Sequence, residues 1–518
     1  MNLRFTKLIA VVLAVMLLSA CTTTPPVSSS SSQSDQPPVS QDTSSTSTSP
    51  SSSSSASPED IAKAITAAEF MGISKTREEK NMHPFAAATS NVTVNGEEVN
   101  INVFLRRQYE YPDYPEFMYV DVINRAIAYK TANPEETVTL NFAMYDMSLK
   151  TRFYYRTDDE KYGRLSGVDS EGRTETLCDS LARAAQNGLY VNCAIQANSQ
   201  QENIKTKFNS LAELDCIEAG KKVSDYLKVS YVTWGTASAE QMHCKFISAS
   251  HYLMDDGTVM KNAVFISTSN VDGVDAQGNF SSGQDRMQSA VLVSGSSGIY
   301  NAYCRYFSII SEYAENQEGF RTAVRDLHAK GELNYSDKYF STYFTPIPTD
   351  PEDAWTPGYN PVVEYIEEMA ASSGPRLFYA NVYHYNTNPS YGFGIKVLSS
   401  IKDIANDGKG QLLAKWLIET NSAASKGYVS DTAFLRAVKE TGAARYYTVD
   451  QKVKTHCKNY LFAYTKDGEM KYVSITGSTN LKWDGAYKKA NSSIAIKEYG
   501  DYHPVFDCLT QQVDNAIQ

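Results

Sequence analysis

Apolar and polar positions along this chain change period many times, and the changes come in an ordered alternation. "TVTLNFAMY" (137–145), "LYVNCAIQA" (189–197) and "LKVSYVT" (227–233) have the length and the Val/Thr/Tyr content of buried strands. Between them, "LCDSLARAAQ" (177–186) and a stretch near 205–219 carry apolar side chains at helical spacing, as does the run from Pro115 to about Lys130. A further helical pattern spans Glu59 to about Gly72, with Ser57-Pro58-Glu59 as its start, and a β-like stretch covers Asn91–Leu105. The order resumes after a Pro-rich stretch from Pro346 to Pro361. "PVVEYIEEMAA" (361–371) predicts a helix, and "RLFYANVYHY" (376–385) and "AARYYTV" (443–449) predict strands. Strands alternating with helices predict an α/β fold, and the return of the order predicts a duplicated α/β unit.

Two stretches repeat more closely than the rest. "MHCKFISASHYLMDDGTVMKNAVFISTSN" (242–270) and "THCKNYLFAYTKDGEMKYVSITGSTN" (455–480) each start with His-Cys-Lys, pass an Asp-Gly turn and end on a Ser/Thr-x-Asn. Each reads as an antiparallel hairpin. On a strand, His243 and Lys245 project from one face and Cys244 from the other, and likewise His456, Lys458 and Cys457. Adjacent strand residues point apart, so His-Cys neighbours do not share a metal. An imidazole and an ammonium on one face suit a single oxyanion.

Composition changes the picture at the ends. Of 518 residues, Met1–Ala20 has a short basic start (Arg4, Lys7) and an apolar run, Leu8–Leu18, too short for an ordinary spanning helix. Residues 22–57 are almost wholly Ser, Thr, Pro, Gln and Asp, with nothing to bury, and predict a disordered tether reaching roughly 30–35 Å. Arg4 and Lys7 balance Asp35 and Asp42, so the net charge of −11 belongs to residues 58–518. An acidic body argues against nonspecific nucleic-acid binding, much of whose affinity comes from Lys and Arg. Of eight cysteines, seven follow Cys21; a Cys178–Cys193 disulfide is possible, and there is no CxxC pair for zinc or redox chemistry. The tyrosines of "YEYPDYPEFMY" (109–119) suit packing at a secreted surface more than the alternative of lining a headgroup or sugar site, and His83, His251, His328, His384 and His503 form no constellation.

Leu18-Ser19-Ala20-Cys21 resembles the lipobox of bacterial lipoproteins, which implies cleavage before Cys21 and lipidation of its thiol. The alternative is a plain secreted protein with an incidental cysteine. The duplicated His-x-Lys followed by Gly-Ser-x-Asn resembles the phospholipase D superfamily over about residues 100–518. His456, Lys458, Gly477, Ser478 and Asn480 form the closer copy; in the other, His243, Lys245 and Asn270 match, while Ser267-Thr268 stands for Gly-Ser. Ser250 and Ala463 stand where the family usually has an Asp, and Gln288 and Asn491 lie near the place of its later acidic residue.

The resemblance implies two similar α/β lobes with one active site between them. The domains it suggests are a signal peptide (1–20), the tether (21–57), a first lobe with an N-terminal extension (58–345), a linker (346–361) and a second lobe (362–518). It implies phosphoryl transfer through a phosphohistidine, with His243 the expected nucleophile and His456 the alternative. Lys245, Lys458, Asn270 and Asn480 would hold the phosphate oxygens, supported by Thr268 and Ser478, and no metal or other cofactor is required. The expected function is an extracytoplasmic phosphodiesterase or phosphatidyltransferase acting on phospholipid-like substrates, held at the membrane through Cys21. A surface nuclease of the same fold and an inactive binding lipoprotein are the alternatives.

Overall fold

The computed structural model describes residues 65–106, 114–149, 153–154, 164–165, 175–196, 200–235, 240–271, 286–347, 360–383, 393–418, 446–450, 455–481 and 488–517. The expected leader and tether, with Cys21, lie outside the described residues, as do His384 and most of the expected linker.

Both repeated stretches are long hairpins, and their turns follow from the Asp-Gly pairs. At the first turn Asp256 Oδ1 accepts the Thr258 N–H at 2.8 Å, and Gly257 takes φ +87°. At the second, Asp467 and Gly468 have φ +52° and +83°, the left-handed pair that lets a two-residue turn match the twist of its strands.

In chain order the first strands are β1 (Ala88–Val94), β2 (Glu97–Arg106), β3 (Thr139–Met144), the short β4 (Phe153–Tyr154) and β5 (Arg164–Leu165), and β6 (Tyr190–Ile195). They continue with β7 (Leu227–Tyr231), β8 (Lys245–Leu253), β9 (Val259–Ser267), β10 (Gln288–Ser294), β11 (Phe340–Phe344) and β12 (Arg376–Val382). The last are β13 (Leu412–Ile418), β14 (Tyr446–Asp450), β15 (Lys458–Lys466), β16 (Glu469–Gly477) and β17 (Ser492–Tyr499). One sheet runs β1-β2-β10-β9-β8-β3-β6-β7 and the other β11-β17-β16-β15-β12-β13-β14. From β2 onward the two orders correspond strand for strand, with antiparallel hairpins β8–β9 and β15–β16 and parallel sets β3–β6–β7 and β12–β13–β14. The fold is therefore α/β with two similar lobes.

Each sheet has its own outer core. Residues of the helices Tyr114–Ala132 and Leu177–Gln186 pack on one face of the first sheet, and those of Pro361–Ala371 and Phe393–Asn406 on one face of the second. A third cluster joins Cys244, Phe246 and Ile266 of the first lobe to Cys457, Leu461 and Ile494 of the second, with the helices Ser297–Glu312 and Pro504–Ile517. That shared core joins the lobes through buried apolar side chains.

Several expectations are corrected. β11 lies before residue 345 yet pairs with β17, so the chain changes sheets ahead of the Pro-rich stretch, because the open edge of β17 needs a backbone partner. The helix expected to Ala219 ends at Ala212, and the β-like stretch 91–105 is a hairpin turning at Asn95 and Gly96, both at positive φ. Cys178 and Cys193 are both buried free thiols, so the disulfide that the sequence allows is not formed.

Candidate active site

The site lies where the two lobes exchange short backbone bridges. Each histidine sits just ahead of its strand, not within it. Met242 bridges in parallel to Ala490 of the second lobe, and His243 N–H donates to Ala490 O at 2.7 Å. Correspondingly, Met287 of the first lobe bridges to Thr455, and His456 N–H donates to Met287 O at 2.9 Å. Each motif is thus anchored on the other lobe.

Side chains follow the same approximate twofold. Lys245 Nζ donates to His243 O at 2.9 Å and Lys458 Nζ to His456 O at 2.6 Å, so each lysine curls back beside its own histidine. His243, Lys245 and Lys458 are buried and His456 is half-buried, with its Nδ1 shielded from solvent. His243 Nδ1 lies 2.9 Å from Ser478 O and 2.9 Å from Asn491 Oδ1, which joins the first motif directly to the second. Burial, then Lys245, Lys489 and Lys458, hold the His243 imidazole well below the usual histidine range. His456 is lowered for the same first reason, followed by Lys458, Lys245, Arg286 and His243. Burial and then Lys245 hold the Lys458 ammonium well below the ordinary lysine value. Close cations repel one another, and a bound phosphate would relieve that cost.

The other expected residues divide by role. Asn270 and Asn480 are buried at matching positions, and the Oδ1 of each takes no hydrogen bond among the described residues. Those two oxygens are left uncommitted among the described residues. Thr268 and Ser478 are occupied: Thr268 Oγ1 donates to Gln288 Oε1 at 2.8 Å and accepts from Ser289 N, while Ser478 Oγ accepts from Ser492 N at 3.0 Å. They fasten β9 to β10 and β16 to β17, a supporting role. At the departures from the family pattern, Ser267 Oγ accepts the Ser269 N–H at 2.9 Å, whereas Gly477, at φ +147°, has no room for a Cβ against Ser492 O. Ser250 Oγ accepts the Thr139 N–H at 3.0 Å and so ties β8 to β3 in place of an Asp.

Sequence reasoning missed a second layer. Tyr145 and Tyr383 follow β3 and β12 at equivalent positions, with ring centroids 5.0 Å from His243 and 4.7 Å from His456. Lys245 lies 5.1 Å from the Tyr145 ring and Lys458 5.5 Å from the Tyr383 ring, geometry that favours ammonium over aromatic faces. Tyr145 ends the predicted strand 137–145 and Tyr383 lies two residues inside the end of 376–385, positions that nothing in the pattern sets apart. Arg286 and Lys489 also occupy matching places, two residues before Gln288 and Asn491, and add to the positive field. Asp146 brings a carboxyl beside Lys245; burial pushes it up to about 6, opposed by that lysine. Behind Asn270, Ser269 Oγ donates to the buried Glu116, which also pairs with Arg106. The remaining described histidines are structural: His83 pairs with Asp121, His251 stacks on Tyr129, His328 binds Phe344 O and His503 binds Asp507.

No protein-family model and no curated protein matches the chain. Among solved structures it is similar to phosphatidylserine synthase from Haemophilus influenzae Rd KW20, with 12% identity, a TM-score of 0.41 and coverage of 77% of this chain and 82% of that one. It is also similar to NucT from Helicobacter pylori, with 9% identity, a TM-score of 0.20 and coverage of 34% of this chain and 95% of that one. At TM-scores below 0.5, nothing about the chemistry of this chain is taken from either.

Proposed function

We propose that this chain is a phosphodiester-cleaving enzyme of the phospholipase D type, working through a phosphohistidine on phospholipid-like substrates at an extracytoplasmic membrane surface. The observation that carries the reading is the contact of His243 Nδ1 with Ser478 O of the second motif and Asn491 Oδ1 of the second lobe. Two half-sites keyed together this way make one centre of two imidazoles, two ammonium groups and two buried amides.

In this mechanism His243 Nε2 attacks phosphorus and forms the P–N bond as the P–O bond to the leaving alcohol breaks, and His456 gives that oxygen its proton. Water or a second alcohol then loses its proton to His456, attacks phosphorus and releases His243. Lys245, Lys458, Asn270 and Asn480 hold the non-bridging oxygens throughout, where fixed donors in a water-poor site act strongly. The histidines, held neutral by burial and the neighbouring lysines, become easier to protonate once a phosphate anion offsets that charge. Anchoring through Cys21 would keep the site within reach of lipid headgroups.

The test is to incubate the protein with labelled phospholipid, plasmid DNA and a chromogenic phosphodiester, beside a His243→Ala/His456→Ala control. Headgroup release or exchange that the control lacks supports the proposal. Cleavage of DNA alone would make the chain a nuclease, and binding without turnover on all three would make it a binding lipoprotein.

A further inference from the structure

The approximate twofold breaks down at the imidazole Nδ1 atoms. Register makes Asn491 the counterpart of Gln288, because Ser267 pairs with Ala290 in one sheet and Gly477 with Ser493 in the other. By the same register Thr345, one residue beyond the Phe344–Ser492 pair, is the counterpart of Arg106, which pairs with Gln288.

We infer that Thr345, which lies outside both motifs, is a positioning residue: acting through Asn491, it fixes His243 as the Nδ1–H tautomer, while His456 has no such brace. The inference deepens the proposed phosphohistidine reading and its catalytic consequence rests on it.

A threonine hydroxyl has one proton to give. Thr345 Oγ1 gives it to Lys489 O at 2.6 Å, so toward Asn491 it can only accept, and it does so from the backbone N–H at 2.9 Å and from Nδ2 at 3.2 Å. The backbone closes the pair, with Thr345 N–H donating to Asn491 O at 3.1 Å. With Nδ2 held by Thr345, Oδ1 faces His243. Oδ1 and Ser478 O are both acceptors, each 2.9 Å from Nδ1, and a nitrogen between two acceptors must carry the proton. The Nε2 of the neutral ring then carries the lone pair that attack on phosphorus requires.

The other half-site cannot do this. Arginine has donors only, so the Arg106 side chain offers the Gln288 Nε2 no acceptor. Gln288 Nε2 has no partner among the described residues, and its Oε1 accepts from Thr268. His456 Nδ1 likewise has no partner among them. One ring is therefore set as the nucleophile, and the other carries no such constraint on its tautomer.

The experiment is 15N NMR of the full chain labelled at histidine, with the His243 signals assigned by His243→Gln. The wild-type ring should be protonated at Nδ1, Thr345→Val should give mixed tautomers, and Thr345→Ser should restore the wild-type pattern. With a chromogenic phosphodiester, Thr345→Val should lower kcat on the order of 10²-fold with KM little changed, because a misdirected lone pair loses attack geometry and not binding. Thr345→Ser should recover most of the loss. An Nε2–H ring at His243 in the wild type, needing no variant to observe, would overturn the inference, as would full kcat in a folded Thr345→Val. If no phosphodiester is cleaved by the wild type, the enzymatic reading fails, yet the tautomer measurement still decides the assignment.

Discussion

Lys458 offers a direct test of whether this centre is built for an anion. It is 1% exposed, its Nζ bonds only to His456 O among the described residues, and burial together with Lys245 depresses its pKa. Exchange for methionine, an unbranched side chain of similar volume, removes a buried ionisable group whose desolvation costs several kcal/mol, and leaves one carbonyl without its donor, a loss of about 1–3 kcal/mol. The balance predicts that Lys458→Met is more stable than wild type by about 1–3 kcal/mol when no anion is present. For a body of about 450 residues, the unfolding entropy near 2.1 cal/mol/K per residue turns that into a rise in Tm of about 1–3 °C. Phosphate should reverse the order. At a hundredfold excess over its Kd it adds about 2.7 kcal/mol to the wild type, and the variant, lacking one of the cations around the anion, should gain far less. Urea unfolding near pH 7, with and without phosphate, measures both effects. A variant less stable than wild type in the absence of phosphate, or one that gains as much from it, refutes the reasoning and makes Lys458 a structural lysine.

His243→Ala and His456→Ala should each remove nearly all turnover, with the double variant little worse, since residues acting as one unit are far from additive; two partly active single variants would mean two independent sites. Burial holds both imidazoles neutral in the folded protein, whereas they charge freely in the unfolded chain below about pH 6.5, so stability should rise with pH toward that value. His328, pushed down to about 4, acts in the same direction, so the double variant should flatten only part of the acid limb in urea titrations. Phosphodiester cleavage should survive a strong chelator; loss of activity restored by zinc or magnesium would favour a metal mechanism. Cys21→Ala should move the protein from the membrane to the soluble fraction, and unchanged fractionation would defeat the lipid anchor.

The amino-acid sequence by itself carried the two hairpins, the α/β alternation and the six residues expected to meet phosphate. Those features are local or repeated: alternation sets which side of a strand a residue faces, Asp-Gly sets a turn, and a motif written twice marks itself. Tyr145, Tyr383, Arg286 and Lys489 were not legible, because a tyrosine after a strand or a basic residue before one has no periodicity that sets it apart. Only the fold brings them beside the imidazoles. The switch of β11 to the second sheet was hidden for the same reason, since an apolar strand fits any open edge that lacks a partner. The inequality of the two histidines was furthest from view. It depends on Thr345 standing where Arg106 stands in the other lobe, and on a hydroxyl being able to accept where a guanidinium cannot. Neither residue lies in a motif, and the 146 positions separating Thr345 from Asn491 are closed only by tertiary structure.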